Sequence, residues 1–278
     1  MKKYAYISVI TNWKYMRGLS VMLRTLNETN PQYPVYVVVP DNKEPLFYDT
    51  VEQMGAKLIK KEPLSFNTNN KVPYWNETMF KLHIFSLTEF DKLLYLDADM
   101  IIQKNLDHLF ACPSLSAVAA GQSQNPTWTN INSGLLVFEP DLIIYRKLLD
   151  AIEPTVKEKQ AKGQGYGDQD VLYRVFTDWK DQPEYHLDER YNAMLFCLPD
   201  IATVYHIKSL DDIYVLHYVA ADKIWNNTLA EALYDMARDI RYRKKLSLQA
   251  KLKYYGIMAQ ADRSVSKAAL RAMKGAAK

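Results

Sequence analysis

Cysteine is scarce in this chain: Cys112 and Cys197 are the only two among 278 residues. They offer no zinc spacing and no disulfide framework, which suits a reducing compartment. Long apolar runs are missing too. No stretch reaches about 18 apolar residues, so no membrane span is expected. No internal repeat and no low-complexity tract occurs. No secretory leader is visible, because Met1-Lys2-Lys3 runs straight into an expected strand over residues 4–11. The expected location is the cytoplasm. The N-x-T sequons at Asn27, Asn76 and Asn226 are chance matches in that setting.

What is present suits a packed globular protein, with 48% hydrophobic and 24% charged residues. The length fits one large α/β domain with an appendage, or two small domains. The net charge of +3 hides an asymmetry. Residues 238–278 carry 12 Lys and Arg against only Asp239 and Asp262. The remainder is net acidic. A basic tail on an acidic body suggests an anionic surface as partner.

Hydrophobic periodicity orders the first half. The strand over 4–11 is followed by Leu19, Met22, Leu23 and Leu26 at helical spacing, stopped by Asn30-Pro31. A strand over 35–39, a helix over 46–54 closed by Gly55, and a strand over 56–60 come next. Residues 62–74 read as a Pro- and Asn-rich loop, and 78–87 as a helix. This alternation predicts a mostly parallel sheet with helices on both faces. The second half is more mixed. Strands are expected over 135–138 and 213–217, and helices over 141–152 and 168–176. Gly163 to Gly167 form a flexible loop. Thr228 and Glu231 make a capping box before Leu229, Leu233, Met236 and Ile240, which share one helical face. A break at 226–228 divides a body, 1–227, from a basic amphipathic helical tail, 228–278.

The most informative segment is Leu93-Leu94-Tyr95-Leu96-Asp97-Ala98-Asp99. Its apolar run lacks polar alternation, as in a strand covered on both faces. Two carboxylates follow at its carboxyl end, the edge where open α/β sheets bind ligands. Carboxylates this close repel unless a cation lies between them. A hard divalent ion, Mn²⁺ or Mg²⁺, is the simplest occupant. A solvated turn would use the same residues.

Five other segments bear on that choice. Thr11 and Asn12 end the first strand and can hydrogen-bond a base on which Tyr15 stacks; an ordinary turn fits equally. Lys81 and His83 sit on a helix, where solvent or core is the usual place for either. Asn132-Ser133-Gly134 lets backbone approach a ligand, and is also plain turn chemistry. Gly167-Asp168-Gln169 opens a helix, with Asp168 as an N-cap in the simplest reading. His217 ends a buried strand, with Lys223 and Trp225 beyond it. It can be a third metal ligand or a satisfied core histidine.

Taken together and in this order, the chain resembles glycosyltransferase family 8. That family includes glycogenin, galactinol synthase and bacterial lipopolysaccharide or lipooligosaccharide galactosyl- and glucosyltransferases. The resemblance covers about residues 4–225, and the glycogenin-like branch is nearest. Its carriers are Ile10-Thr11-Asn12 with Tyr15, Phe80-Lys81-Leu82, Leu94 to Asp99, Asn132-Ser133-Gly134, Gly167-Asp168-Gln169, Tyr191-Asn192, and His217 through Lys223 to Trp225.

The resemblance implies a GT-A fold, a Rossmann-like, mostly parallel mixed sheet flanked by helices. It implies a UDP-sugar donor and Mn²⁺, or Mg²⁺, held by Asp97, Asp99 and His217. Val9, Thr11, Asn12 and Tyr15 would hold uracil and ribose, and Lys223 the diphosphate. Lys81, Asn132, Asp168 and Gln169 would surround the donor sugar. Family members retain anomeric configuration, with the acceptor attacking on the face that UDP leaves. Asp168 would steady or orient the sugar, or only bind one of its hydroxyls.

The pattern departs in places. The family's H-x-x-G-x-x-K-P-W carries Ala220 for its glycine and Ile224 for its proline. Gly121 stands about where glycogenin has an Asp near the donor sugar. None of the 20 tyrosines is marked out for self-glucosylation. The resemblance leads to transfer of glucose or galactose from UDP to a saccharide or lipid-linked acceptor, in bacterial surface polysaccharide synthesis. A soluble glycogenin-like or galactinol-type enzyme is the alternative within the class. An inactive UDP-sugar-binding protein is the alternative outside it, against which the two Asp and the His argue. The tail residues Arg241 to Lys245 and Lys251 to Tyr255 mix basic and aromatic groups, as segments on the inner, anionic membrane surface do. A solvated helix has the same composition. The acidic body argues against nucleic acid as a partner.

Overall fold

The structure is a computed structural model that describes residues 2–66, 77–119, 121–220 and 222–276. Most of the loop expected over 62–74, from residue 67 on, and the Asn76 sequon lie outside the described residues.

The chain begins with β1 (Tyr4–Val9), α1 (Met16–Glu28), β2 (Val35–Pro40), α2 (Pro45–Gln53), β3 (Lys57–Lys61), β4 (Lys92–Leu96) and β5 (Met100–Ile102). Then come β6 (Ser116–Val118), β7 (Asn132–Phe138), α3 (Leu142–Ala161), α4 (Asp168–Val175), β8 (His186–Leu187), β9 (Ala193–Met194), α5 (Leu198–Val204) and β10 (Val215–His217). The helices α6 (Leu229–Arg241), α7 (Lys245–Ser264) and α8 (Lys267–Gly275) follow.

Seven strands form one sheet in the order β3-β2-β1-β4-β7-β6-β8. The pairings on the β1 side are parallel, and β7 runs antiparallel to both β4 and β6. This is the α/β architecture that the strand–helix alternation predicts. Side chains alternate across each strand, so successive residues enter different cores. Ile7, Val38, Leu93 and Tyr95 pack on one face, while Tyr6, Val37, Leu94 and Leu96 pack on the other. That two-sided burial explains the unbroken apolar run of β4.

A second sheet, β5-β10-β9, packs beside the first. The Asp97-Ala98-Asp99 turn is the link between the sheets, since β4 belongs to one and β5 to the other. Strand order reverses between β1 and β4, because β2 and β3 lie on the far side of β1. A crevice therefore opens beyond the carboxyl ends of β1 and β4.

Several boundaries differ from expectation. The segment read as a helix over 78–87 is a 3₁₀ helix, Met79–Ser86, buried from Met79 through Phe85. Contacts on every side, rather than one apolar stripe, set its geometry. Helix α3 continues past Pro154 to Ala161, beyond the expected end at 152. Its buried face, Leu148, Ala151, Ile152, Thr155 and Val156, runs through the proline, so packing outweighs the lost backbone bond. Gly167, not Asp168, is the N-cap of α4.

The helices after residue 228 lie on the body. Tyr254 of α7 is fully buried beside Tyr218 and Trp225. Arg17 of α1 forks onto Asp262 at 2.6 and 3.2 Å and also donates to the Trp225 carbonyl at 2.8 Å. Lys251 is buried against Asp239 at 2.8 Å. Lys251 and Tyr254 are thus structural and closed to a membrane surface. Helix α6 is the reverse case. It buries Ala232 and Asp239, while Leu229, Leu233 and Ile240 stay 76%, 55% and 64% exposed.

Candidate active site

A cleft of about 160 Å³, open to solvent, sits in the crevice beyond β1 and β4. Its wall includes Val9, Thr11, Tyr15, Lys81, Asp97, Asp99, Asp168 and Lys223. Asn12 stands at its rim. It caps the following 3₁₀ turn by accepting the Lys14 amide, and it donates to Glu77 at 2.5 Å.

Asp97, Asp99 and His217 converge although two sheets supply them. Each offers one ligand atom, and the three atoms lie within 4.8 Å of one another. His217 Nε2 is 3.0 Å from Asp99 Oδ1 and 3.7 Å from Asp97 Oδ2. Two backbone bonds fix the approach. The Asp97 amide donates to the Gly134 carbonyl at 2.9 Å, and the Tyr218 amide donates to the Asp99 carbonyl at 3.0 Å. Gly134 is required here. A Cβ on it would stand 2.6 Å from His217 Cε1. The space above Gly134 thus serves the imidazole.

The tautomer of His217 follows from its neighbours. The Gly134 amide donates to Asn132 Oδ1 at 2.9 Å, and Asn192 Nδ2 donates to the same oxygen at 2.7 Å. Asn192 therefore turns its carbonyl oxygen to His217 Nδ1, 2.7 Å away, and Nδ1 must carry the proton. Nε2 faces the two carboxylates, where its lone pair is open to a proton or to a metal ion. A lone pair facing carboxylate oxygens is repelled unless a proton or a metal ion stands between them. Two oxygens and one imidazole nitrogen suit Mn²⁺ or a similar ion, so the donor set fits the implied metal.

Lys81 is the second hub. Its Nζ reaches Asp168 at 2.7 Å, Asp97 at 3.2 Å and the Ser133 hydroxyl at 3.1 Å. Burial opposes its charge, but Asp168 and Asp97 outweigh that and hold it firmly protonated. Lys223 pairs with Asp99 at 2.6 Å. Burial favours a neutral Asp99, yet His217 and Lys223 hold it well below the usual carboxylate range. Burial pushes Asp97 the other way, with Lys81 opposing and Asp99 assisting. Tyr95, two residues before Asp97, donates to it at 2.5 Å. Glu77, Asp97, Asp99 and Asp168 face only Lys81 and Lys223 among the residues lining the cleft. Such a net-negative cleft repels a diphosphate until a divalent cation reverses its sign.

Asn132 and Gln169 lie in an adjoining cavity of about 370 Å³, together with Trp128, Tyr173 and Phe196. They reach the cleft through backbone: Gln169 accepts the Ser133 amide at 3.1 Å. The sequence reading gave Tyr95, Ser133 and Asn192 no role. Strand alternation would have found Tyr95, which shares a face with Asp97. Asn192 carries no local signal, since its role depends on three distant residues.

Comparison with known proteins gives the class and then the family. A galactosyltransferase, LgtC, solved with donor and acceptor sugar analogues, superposes with TM-score 0.61 at 15% identity, covering 92% of this chain and 95% of that one. The glycosyltransferase GlyE of Streptococcus pneumoniae gives 0.58 at 23%, covering 96% and 65%. These likenesses define the fold as that of the GT-A glycosyltransferases. The profile of glycosyl transferase family 8 matches residues 6–229, and the chain belongs to that family. Among curated proteins, uncharacterized protein R707 of Acanthamoeba polyphaga mimivirus is 30% identical over 245 residues, 81% of this chain and 84% of that protein. Human glycogenin-1 is 26% identical over 235 residues, 82% of this chain and 64% of the glycogenin. The chain thus spans about half to two thirds of the length of the glycogenins it matches. It is a family 8 glycosyltransferase with an Asp-Asp-His site.

Proposed function

We propose that the protein is a retaining, Mn²⁺-dependent hexosyltransferase that moves glucose or galactose from UDP to a saccharide or lipid-linked acceptor, in surface polysaccharide synthesis. The observation that carries this reading is the convergence of Asp97, Asp99 and His217 in a net-negative cleft at the sheet switch point. Mg²⁺ suits the same carboxylates. The bound ion supplies charge neutralisation for the diphosphate as the sugar–phosphate bond breaks.

The chain's own residues do the rest. Val9, Thr11, Asn12 and Tyr15 line the place for uracil and ribose. Lys223 neutralises charge developing on the leaving diphosphate. Lys81 pairs with Asp168 at 2.7 Å and aims it beside the sugar, where a carboxylate steadies an oxocarbenium-like ring. With the acceptor on the face that UDP leaves, a phosphate oxygen takes the acceptor proton. Turnover of UDP-glucose, UDP-galactose and UDP-N-acetylglucosamine with Mn²⁺ tests the reading. Asp99→Asn should lower UDP release by about 100-fold or more, the scale for losing a group that stabilises developing charge. Equal release by wild type and Asp99→Asn would leave an inactive sugar-nucleotide binder as the better description.

We further propose that α6 lies on the inner, anionic membrane surface, as a peripheral enzyme with a lipid-linked acceptor requires. Its exposed Leu229, Leu233 and Ile240 adjoin the exposed Arg238, Arg241, Arg243, Lys244 and Lys245. Apolar insertion beside a basic cluster is the pattern of interfacial helices.

A further inference from the structure

The geometry points to a stacking platform for a neutral pyranose, built by Trp128 and Phe196 beside the catalytic cleft, and rests on the transferase reading above.

Trp128 and Phe196 are 44% and 47% exposed, and they line the cavity that holds Asn132 and Gln169. Two large aromatic rings exposed on the lining of one cavity offer the kind of apolar surface that ligand sites use. This one is constructed. Gly121 has φ +96°, a conformation that side chains rarely adopt, and a Cβ there would stand 2.8 Å from Trp128 Cζ3. The indole thus lies against the bare glycine backbone on one side, and its exposed part borders the cavity. The turn that carries it is anchored by the buried Glu189, whose two oxygens accept the Gly121 amide at 2.9 Å and the Ser123 amide at 3.0 Å. The Trp128 amide closes the turn on the Asn125 carbonyl at 3.0 Å.

The rest of the lining selects the ligand class. It contains Thr, Asn and Gln, and no charged residue. Asn132 Oδ1 is already engaged, while its Nδ2 meets only the weak Met194 sulfur acceptor at 4.0 Å among the described residues. That amide can donate to a hydroxyl. Uncharged donors and acceptors around aromatic faces suit a ring with one apolar C–H face and an equatorial belt of hydroxyls. They do not suit a phosphate or a charged peptide. Ser133 bonds both Gln169 and Lys81 and so joins this cavity to the cleft; with the donor sugar beside Asp168, and Asn132 and Gln169 at the boundary between the two spaces, the ring on Trp128 and Phe196 is the acceptor sugar.

The test uses the full chain with UDP and Mn²⁺, titrated with maltose, lactose and cellobiose and followed by indole fluorescence and calorimetry. Wild type should bind at least one disaccharide. Trp128→Ala should weaken that binding tenfold or more, Trp128→Phe should restore most of it, and Phe196→Ala should weaken it severalfold. UDP affinity should change less than twofold in all three. In turnover assays the loss should fall on acceptor KM rather than on kcat. Undiminished sugar binding by Trp128→Ala overturns the proposal, as does failure of wild type to bind any of the three. A tyrosine-containing peptide that binds there in place of sugars also overturns it. Disaccharide binding without UDP-sugar turnover would support the platform while removing the transferase reading.

Discussion

Asn192 fixes the proton on His217 Nδ1, and so leaves Nε2 as the nitrogen offered to a metal ion. Removing a hydrogen-bond partner of a metal-bound histidine typically costs about 10- to 100-fold in metal affinity. Asn192→Ala should therefore weaken Mn²⁺ binding by about that factor, as read by titration of the free-Mn²⁺ EPR signal in the presence of UDP. An unchanged affinity would show that Asn192 does not set the tautomer. His83 offers a second residue-scale case, outside the metal cluster. Its Nε2 donates to the Glu62 carbonyl at 2.9 Å and its Nδ1 accepts from Tyr145 at 2.8 Å, so the fold holds it neutral. Burial lowers its pKa from the ordinary 6.5, against the smaller upward pull of the Glu62 bond. The unfolded chain then binds more protons in the window below 6.5, so stability falls as pH drops through it. His83→Gln should flatten that part of a melting-temperature profile between pH 7.5 and about 5.5.

At the scale of elements, α7 shows how much of the fold rests on its carboxyl-terminal helices. Tyr254 is fully buried, yet its hydroxyl has no hydrogen-bond partner among the described residues. A buried orphan donor costs free energy, so Tyr254→Phe should raise stability by roughly 1 kcal/mol. Tyr254→Ala should lower it by about 3–5 kcal/mol, the usual range for an emptied aromatic site. Chemical denaturation of both variants checks the pair of signs. Helix α6 tells against reading burial from periodicity alone. Leu229, Leu233, Met236 and Ile240 share a face as their spacing requires, but Leu229, Leu233 and Ile240 look outward, Met236 is only half-buried, and the helix buries Ala232 and Asp239 instead. The strands were more transparent. β4 is buried on both sides and shows it as an unbroken apolar run. Residues 79–86 and Pro154 misled because contacts from distant segments fixed their geometry.

For the whole molecule, the ligand set was legible as residue types at strand ends, since Asp97 and His217 close buried strands and Asp99 stands just before one. The network around them was not. Ser133, Asn192 and Trp128 act through partners scattered along the chain, and no spacing rule joins those segments. The membrane proposal belongs at this scale. Replacing Leu229, Leu233 and Ile240 together by Ser should release the protein from vesicles of phosphatidylcholine with about one third phosphatidylglycerol, without lowering the melting temperature, because these side chains face solvent. Flotation assays unchanged by the triple substitution would remove α6 as the contact. Deleting residues 238–278 would be a poor substitute, since it also removes Tyr254 and Asp262.

The Arg17–Asp262 fork has a further consequence, for the chain as it leaves the ribosome. β1, α1 and β4 emerge early and can pair at once, bringing Asp97 and Asp99 to their edge. His217 arrives only with β10, and α7, which covers that strand and grips Arg17, is made later still. Domains tend to fold from the amino terminus during synthesis. A nascent chain would thus carry the two carboxylates well before His217 is made, and His217 before α7 secures its strand. The Asp-Asp-His cluster is therefore assembled late relative to the sheet that carries its first two members.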